Sequence, residues 1–365
     1  MKILIGMPAK DSWGGPARCE PPFVSALEKL GLSVETSDYV YGDKEKPTPL
    51  SGRIRRVLKT AFRFRRLLRR KDFDVIHLNS AFDARTVLRD SVSLFIMRPG
   101  KTKVFIKLHG SDIKSFRSLP RYRILMWYLN RKADAFGVLS NEELATFDRF
   151  GFDRNRFFLV KNAITFENPA IFDSPRPLKE VNNVFELLFV SRFIETKGLL
   201  ETIEALALLR RTRLRVRLTC VGDGPLRAEA EAAAERLGLL PFVTFTGYVD
   251  EATVEEYLAK SDIFVFPTRH PEGFPIALFK AIAAGLPVVT TRIRAMADYL
   301  EDGKNAIFCE PNPQSVSDAV EKLVRNRDLR QSMAQTNAAM GPAFSPGQIA
   351  GEYLEIYEKI NKRQN

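Results

Sequence analysis

Glu272 stands where a polar loop meets an apolar helix within the stretch 264–290, FVFPTRHPEGFPIALFKAIAAGLPVVT. Pro275 suits the first turn of that helix, because the N–H that proline lacks would have no partner there, and Gly285 ends the helix. The backbone N–H groups of residues 273–276 are therefore expected at a positive helix terminus, which can bind phosphate or sugar oxygens. The Glu272 carboxylate can accept hydrogen bonds from sugar hydroxyls.

A second candidate site is the loop that follows the apolar strand 185–190. This loop holds Arg192 and Lys197, and Gly198 opens the next helix. Two cations beside an exposed helix start suit a diphosphate, because the charges and the amides converge on the same oxygens. A pair of solvated surface cations is the alternative interpretation.

His109 ends a third apolar strand, within 102–112, and Asp112 follows it closely. In open α/β sheets ligands bind beyond the carboxyl ends of the strands, where these two side chains are expected. A lone histidine is more often structural than functional, and His77, inside the preceding strand, is interpreted as structural.

Two glycine turns also follow strands. Gly14 and Gly15 come after the strand 3–8, where they let a backbone approach a ligand or simply form a tight turn. Gly222 lies in the turn GDGP, which lacks the third glycine of a dinucleotide-binding fingerprint.

The stretch EGFPIALFKAIAAGLPVV resembles the donor-site signature of the retaining GT-B glycosyltransferases of family 4. The family pattern is a glutamate, seven residues and a second glutamate, and here Glu272 is followed at the second position by Lys280. The resemblance implies that Glu272 holds the transferred sugar and that the ribose-binding position is altered. Another residue could hold the ribose, the nucleotide could sit differently, or Lys280 could add to a diphosphate clamp.

Further elements follow in the family's order. SRFIETKG resembles the R-x4-K-G loop that neutralises the leaving diphosphate, and His109 with Asp112 matches the HG-x-D element of the family. The resemblance implies that His109 lies against the transferred sugar and the donor phosphate and that Asp112 belongs to the acceptor and phosphate loop. The glycine pair Gly14 and Gly15 corresponds to the loop that faces the acceptor and the donor phosphates. The resemblance implies donor contacts at Arg192, Lys197, Gly222, Tyr248, Val249, Glu272, Gly273, Phe274, Pro275, Ile276 and Lys280.

The resemblance implies an α/β protein of the GT-B fold, with two Rossmann-like α/β/α domains facing a central cleft. Residues 1–165 are expected to form the acceptor domain and residues 166–344 the donor domain, and the proline-rich stretch 165–183 is interpreted as the connection. The last helix, 345–365, is expected to cross back onto the first domain.

Composition agrees with a globular protein of two domains. The chain has 365 residues, 45% of them hydrophobic and 27% charged, which is ample for two cores. Neither a membrane-spanning run nor a signal peptide is recognised. Cys19, Cys220 and Cys309 match no metal or disulfide spacing, so reduced thiols in the cytoplasm are expected.

The net charge of +12 is concentrated in residues 53–71, RIRRVLKTAFRFRRLLRRK. Apolar residues recur there at three- and four-residue steps, which predicts an amphipathic helix with one apolar face made of Ile54, Val57, Leu58, Ala61, Phe64 and Leu68. Such a basic helix is typical of contact with an anionic membrane surface, although a helix packed on its own domain with a solvated basic face is the alternative. The aromatic residues of 116–132 are assigned to the core by default. No nucleic-acid module is recognised, so nucleic-acid binding is not expected.

The expected function is transfer of a sugar from a nucleotide-diphosphate sugar to a hydroxyl of a saccharide or lipid-linked acceptor, with retention of configuration. The family implies a hexosyltransferase (EC 2.4) without metal or cofactor, working in cell-surface polysaccharide or lipopolysaccharide synthesis at the inner face of the cytoplasmic membrane. The first alternative is a GT-B scaffold that has lost turnover and acts as a partner subunit. Another GT-B enzyme, such as a sugar epimerase, would need different carboxylates.

Overall fold

A computed structural model describes residues 1–8, 15–39, 49–113, 119–172 and 179–362. Contacts between α-carbons divide the chain into two compact units. The first unit comprises Met1–Ala163 with Ser345–Asn365, and the second comprises Ile164–Phe344. Each unit contains one six-stranded sheet whose named strands all pair in parallel.

The first unit is built on six strands in the order β2-β1-β3-β4-β5-β6. Its strands are β1 (Lys2–Met7), β2 (Ser33–Asp38), β3 (Val75–Ser80), β4 (Lys103–Leu108), β5 (Ala135–Val138) and β6 (Phe157–Leu159). Its helices are α1 (Gly15–Lys29), α2 (Leu50–Arg70), α3 (Ala84–Met97), α4 (Pro120–Lys132) and α5 (Asn141–Arg149). The central strands β3, β4 and β5 are almost entirely buried, as expected for parallel strands covered on both faces.

The last helix completes the core of the first unit. This helix, α13 (Pro346–Lys362), packs on α1 and β4. The Tyr357 hydroxyl lies 2.6 Å from Nδ1 of His77, and the ring of Tyr353 stacks on the same imidazole with 5.8 Å between centroids. All three residues are fully buried. This arrangement confirms that the C-terminal helix returns to the first domain and that His77 is structural.

The second unit has a sheet of the order β12-β11-β10-β7-β8-β9. Its strands are β7 (Phe185–Val190), β8 (Val216–Val221), β9 (Val243–Gly247), β10 (Ile263–Phe266), β11 (Val288–Thr290) and β12 (Ala306–Phe308). Its helices are α6 (Leu199–Arg211), α7 (Arg227–Arg236), α8 (Glu251–Lys260), α9 (Ile276–Ala283), α10 (Arg294–Tyr299), α11 (Pro313–Arg325) and α12 (Arg327–Met340).

Strand order locates the binding edge of this second sheet. Strands β7 and β10 are neighbours although two other strands separate them in sequence, so the order of connection reverses between them. Loops leaving such a switch point diverge and open a crevice at the carboxyl ends of the strands. The loops that follow β7 and β10 contain the residues singled out above.

The helix predicted over residues 53–71 is present as α2. It buries Ala61 and Phe64 but exposes Ile54 and Leu58, so the described part of the first unit covers its apolar face only in part. The expectation that the aromatic residues of 116–132 pack in the core is wrong for one of them. In α4 the ring of Trp127 is 63% exposed rather than packed in the core.

Candidate active site

Backbone hydrogen bonds fasten the loops after β7 and β10 together. The N–H groups of Arg269 and His270 both donate to the carbonyl oxygen of Thr196, at 2.9 and 3.1 Å. The hydroxyl of Thr268 donates to the same oxygen at 3.1 Å. This shared acceptor brings the residue that follows it, Lys197, against the second loop.

Lys197 and Glu272 form an ion pair between the two loops. Their side chains are only 9% and 13% exposed, so the pair is shielded from water and screened weakly by salt. The cation expected at the diphosphate and the carboxylate expected at the sugar are therefore direct partners.

Further positive groups surround this ion pair. Burial first, and then the charge of Lys197, lower the pKa of His270, and the charges of Arg192 and Arg294 act in the same direction. The imidazole of His270 is thus neutral at physiological pH, with Nδ1 placed 3.2 Å from Oγ1 of Thr196. Arg294 also donates to the carbonyl oxygen of Pro271 at 2.9 Å.

Glycines allow these loops to approach one another. Gly198 has a φ of 85°, and a β-carbon there would lie 2.4 Å from the carbonyl oxygen of Pro267. Gly222 has a φ of 133°, and a β-carbon there would lie 1.9 Å from the carbonyl oxygen of Ser191. Gly222 therefore has a structural reason to be glycine, namely close packing against the loop that carries Arg192.

The start of α9 differs slightly from the prediction. Pro275 is the residue before the first helical residue, Ile276, rather than a member of the first turn. The ring of Phe274 stacks on Phe279 with 3.8 Å between centroids, so any contact of Phe274 with a donor would come from its backbone. Gly273 is buried beside it.

Lys280 is held by two carboxylates of α8. Its Nζ lies 2.7 Å from Glu251 Oε2 and 2.8 Å from Glu255 Oε1, and Lys280 and Glu255 are buried. Burial would raise the pKa of Glu255, but the hydrogen bonds from Lys280 and from the N–H groups of Asn168 and Glu167 hold it below its ordinary value. Two carboxylates share this one ammonium, so the cluster has an excess of negative charge, which argues against a role in a diphosphate clamp.

Tyr248 and Val249 follow β9 at the same edge of the second sheet. The side chain of Tyr248 is 60% exposed and Val249 is half-buried. Both are therefore accessible to a ligand, while the next residue, Asp250, caps α8 by accepting a hydrogen bond from the N–H of Thr253 at 2.8 Å.

In the first unit, His109 follows β4 and contacts Asn79 of β3. Its Nε2 lies 2.7 Å from Asn79 Oδ1. The amide of Asn79 is oriented by the carbonyl of Gly6, which accepts a hydrogen bond from Nδ2 at 3.0 Å. Because Oδ1 can only accept, Nε2 of His109 must carry the proton. Burial and the charge of Lys107 lower the pKa of His109 well below its ordinary value, so Nδ1 keeps its lone pair.

A buried ion pair lies beside this histidine. Lys107 Nζ contacts Glu20 Oε1 at 2.7 Å, and both side chains are inaccessible to solvent. Among the described residues, Cys19, Glu20 and His109 are the set whose ligand atoms approach closely enough for a metal. However, the ammonium of Lys107 already neutralises Glu20, and burial raises the pKa of the Cys19 thiol. This donor set does not fit a cation.

The structure describes two of the three remaining residues that were predicted in the first unit. Gly15 is the first residue of α1, whereas Gly14 lies outside the described residues. Asp112 is exposed, and its N–H donates to the carbonyl oxygen of Phe82 at 3.4 Å.

Sequence reasoning missed three residues that contact or surround the predicted ones: Glu20, Asn79 and His270. His270 stands two positions before Glu272, so its spacing could have identified it. Glu20 and Asn79 meet His109 only through the register of β3 with β4 and the packing of α1, which no local pattern signals.

Solved structures with this architecture define the class of protein. The chain superposes on HepE from Anabaena, crystallised in complex with UDP-glucose, with a TM-score of 0.74 and 20% identity over 98% of this chain and 100% of that one. It superposes on WaaG, a glycosyltransferase involved in lipopolysaccharide biosynthesis, with a TM-score of 0.68 and 18% identity over 98% and 99% of the two chains. The fold is GT-B.

The sequence matches two glycosyltransferase families, one in each unit. Residues 171–340 match the family described as Glycosyl transferases group 1, and residues 18–168 match Glycosyltransferase Family 4. The chain therefore belongs to the group 1, family 4 glycosyltransferases.

One similar relative is a phosphatidyl-myo-inositol mannosyltransferase of Mycobacterium leprae, 25% identical over 92% of this chain and 88% of that protein. Another is a putative colanic acid biosynthesis glycosyltransferase, WcaL, of Escherichia coli, 27% identical over 67% of this chain and 59% of that protein. In the described part of this chain, no helix is both long enough and apolar enough to cross a membrane.

Proposed function

We propose that this glycosyltransferase moves a sugar from a nucleoside diphosphate sugar to a hydroxyl of a saccharide or lipid-linked acceptor, with retention of anomeric configuration. The observation that carries the proposal is the buried ion pair of Lys197 with Glu272, set among Arg192, Arg294 and His270 at the switch point of the second sheet. Cations and a carboxylate side by side suit a ligand that joins a diphosphate to a sugar. The UDP-glucose complex of HepE supports a nucleotide sugar as the donor.

The positive groups would act on the bond that breaks. As the bond between the sugar and the diphosphate lengthens, negative charge develops on the leaving oxygen. Arg192, Lys197 and Arg294 would stabilise that charge from fixed positions, and one such group is typically worth about 10²–10³ in rate. The acceptor hydroxyl would attack the face that the leaving group vacates, which retains the configuration, and its proton would pass to the departing diphosphate oxygen.

Charge stabilisation by these side chains is the basis for proposing that the reaction needs no metal ion and no cofactor. The described residues that could approach a cation together, Cys19, Glu20 and His109, are ill suited to one, because the ammonium of Lys107 occupies the Glu20 carboxylate. The guanidinium and ammonium groups can supply the positive charge that a divalent ion would otherwise bring to a diphosphate.

The Glu272 carboxylate would hold the transferred sugar. It can only accept hydrogen bonds, so it would bind sugar hydroxyls while Lys197 fixes its orientation. In the first unit, His109 would act as a neutral imidazole whose Nε2 donates to Asn79, and its ring is largely buried.

Lys280 would contribute to the pocket indirectly. Its ammonium is shared by Glu251 and Glu255, so the ribose would be held by another residue or in another position. Of the three alternatives left open by the sequence, the diphosphate clamp is the one that this geometry disfavours.

We also propose that the enzyme works at an anionic membrane surface, in the synthesis of a cell-surface polysaccharide or lipopolysaccharide. Helix α2 exposes a stripe of large apolar side chains at four-residue spacing, flanked by Arg55 and Lys59, and the stripe consists of Leu50, Ile54, Leu58 and Phe62. An exposed apolar stripe between cations fits a helix lying in the plane of the lipid headgroups.

Donor hydrolysis tests the chemistry without knowledge of the acceptor. Wild type, Lys197→Met and Glu272→Gln would be compared with a panel of nucleoside diphosphate sugars, and Arg211→Gln, which removes an exposed cation elsewhere in the second unit, is the control. One donor should be consumed by wild type and control, roughly 10²-fold more slowly by the two variants. Proton NMR of the transferred or released sugar, read before mutarotation, gives the configuration. Nucleotide binding without turnover by wild type would instead favour the inactive scaffold.

Vesicle flotation tests the membrane surface. The double variant Ile54→Gln/Phe62→Gln should lose binding to vesicles that contain anionic lipid, whereas Leu237→Gln/Leu240→Gln, which changes two exposed leucines of the second unit, should keep it. Equal binding by both variants would refute this use of α2.

A further inference from the structure

A surface cavity of about 570 Å³ lies at the edge of the first sheet where β3 and β4 begin. Residues 72–74 lead into β3 and residues 98–102 lead into β4, and both segments line the cavity. His109 follows the other end of β4. The cavity is therefore separate from the candidate active site, and its volume is within the range of small-ligand sites.

Four cations line this cavity: Arg65, Arg69, Arg98 and Lys101. Arg65 and Arg69 are one turn apart on α2, so their like charges repel. Partial burial first, and then the charges of Arg69 and Arg98, lower the pKa of Arg65. Two carboxylates, Asp72 and Asp74, also line the space, and Asp74 already accepts a hydrogen bond from the N–H of Lys2 at 2.6 Å.

The three guanidinium groups have no acceptor among the residues that the structure describes. Within the described ranges, the side chains of Arg65, Arg69 and Arg98 neither donate a hydrogen bond nor pair with a carboxylate. Elsewhere on the same helix Arg63 pairs with Asp38 at 3.2 Å, so the helix does have carboxylates within reach. Three mutually repelling cations around one concave space, without a carboxylate partner among the described residues, favour binding of an anion.

The backbone at Arg98 adds a second observation. Arg98 ends α3 with φ of 50° and ψ of 69°, the left-handed region that helices normally reach with glycine. A side chain with a β-carbon is strained there. Glycine at this position would make the protein more stable. Arginine stands there instead, and it lines the same cavity as the two arginines of α2.

We propose that the cavity binds a phosphate-bearing anion through Arg65, Arg69 and Arg98. Planar guanidinium groups match the oxygens of phosphate in pairs, and three of them favour a phosphomonoester or pyrophosphate over a singly charged group. Such an anion comes from one of two sources, a soluble phosphorylated compound or a phosphomonoester lipid headgroup beside the membrane-facing stripe of α2. The proposal does not depend on sugar transfer.

Calorimetric titration with inorganic pyrophosphate tests the soluble source. The double variant Arg65→Gln/Arg69→Gln is compared with Arg66→Gln/Arg70→Gln, which removes the same charge from exposed positions of α2 outside the cavity. The cavity variant should bind at least roughly tenfold more weakly, since each guanidinium–phosphate bond is a charged one, and the control should match wild type. Equal loss in both variants would show attraction by net charge alone and overturn the site.

Vesicle flotation tests the lipid source. Vesicles of phosphatidylcholine with phosphatidic acid are compared with vesicles of equal charge made with phosphatidylglycerol. Binding through the cavity should favour phosphatidic acid, and Arg65→Gln/Arg69→Gln should abolish that preference while the control variant keeps it. The proposal would be overturned if the wild type neither binds pyrophosphate nor prefers vesicles with phosphatidic acid to vesicles with phosphatidylglycerol.

The variant Arg98→Gly distinguishes a loss of anion binding from a loss of folding stability. Glycine adopts the left-handed conformation freely, so this variant should melt at a higher temperature than wild type. It should nevertheless lose affinity for whichever probe binds. A variant that is more stable and binds as tightly as wild type would remove Arg98 from the site and refute the assignment.

Discussion

Replacing Lys280 with methionine should lower the free energy of unfolding by about 3 kcal/mol at pH 7. The change keeps most of the side chain, which becomes one atom shorter, but leaves Glu255, which is fully buried, without its cation. Removing one partner of a buried ion pair typically costs about 3–5 kcal/mol. The lower end applies because Glu255 keeps two backbone N–H donors and Glu251 is 22% exposed and can hydrate.

The pH dependence follows from the pKa of Glu255. In the wild type this pKa lies below its ordinary value of 4.5, so the contribution of Glu255 to stability is present above about pH 4.5 and is lost as pH falls through the folded pKa. In Lys280→Met, burial becomes the dominant influence and raises the pKa, so protonation favours the folded variant. The difference between the two proteins should therefore narrow from pH 7 toward pH 4.

The assay must report on the second unit. Trp13 and Trp127 both belong to Met1–Ala163, so tryptophan fluorescence follows the first unit and serves as the internal control. Scanning calorimetry should show the transition of the second unit lowered by roughly 6–12 °C. Adding Glu255→Gln to Lys280→Met should recover part of the loss, because no uncompensated charge then remains. A loss below about 1 kcal/mol at pH 7, or one that does not change with pH, would refute the reasoning.

Nitrogen-15 NMR should show His109 as the Nε2–H tautomer without titration between pH 5 and 8, and Asn79→Leu should disturb that tautomer; a midpoint near the ordinary value of 6.5 would contradict the assigned hydrogen bonds. Tyr357→Phe should lower the free energy of unfolding of the first unit by about 1–3 kcal/mol, since it removes the hydroxyl 2.6 Å from the buried Nδ1 of His77, and urea denaturation followed by tryptophan fluorescence would detect it. Gly222→Ala should be far more destabilising than Gly238→Ala. A β-carbon at position 222 would strike the carbonyl of Ser191, whereas one at position 238 meets nothing within 4 Å. Equal melting temperatures of the two variants would exclude close packing as the reason for glycine at position 222.

Much of the fold was predictable because its signals are local. Apolar runs identify most strands of the two sheets, although not the polar strand β2. The cap at Ser140 illustrates how a helix start is encoded in a few residues. Its hydroxyl accepts from the N–H of Glu143 at 3.2 Å, and the Glu143 carboxylate accepts from the N–H of Leu139. Such bonds join residues within one turn, so residue type and spacing are enough to predict them.

The candidate site was predictable only in outline. Glu272 and Lys197 were singled out separately, but that they pair depends on the adjacency of β7 and β10. The partners of Lys280 are 25 and 29 residues away on another helix. Asn79 contacts His109 because β3 and β4 are neighbours in the sheet. Helix periodicity likewise predicted one broad apolar face on α2. It does not reveal how much of that face the neighbouring elements cover.

The helix that closes the first unit is translated only after the whole second unit. During synthesis, the imidazole of His77 and the pair of Lys107 with Glu20 remain uncovered by Tyr353 and Tyr357 until all of Ile164–Phe344 has been translated. At roughly 5–20 residues per second, that interval lasts on the order of 10–40 s. The second unit can therefore finish folding before the first, reversing the usual order along a chain. The first unit depends on Ser345–Asn365, which follows the second unit in sequence, to bury its own polar groups.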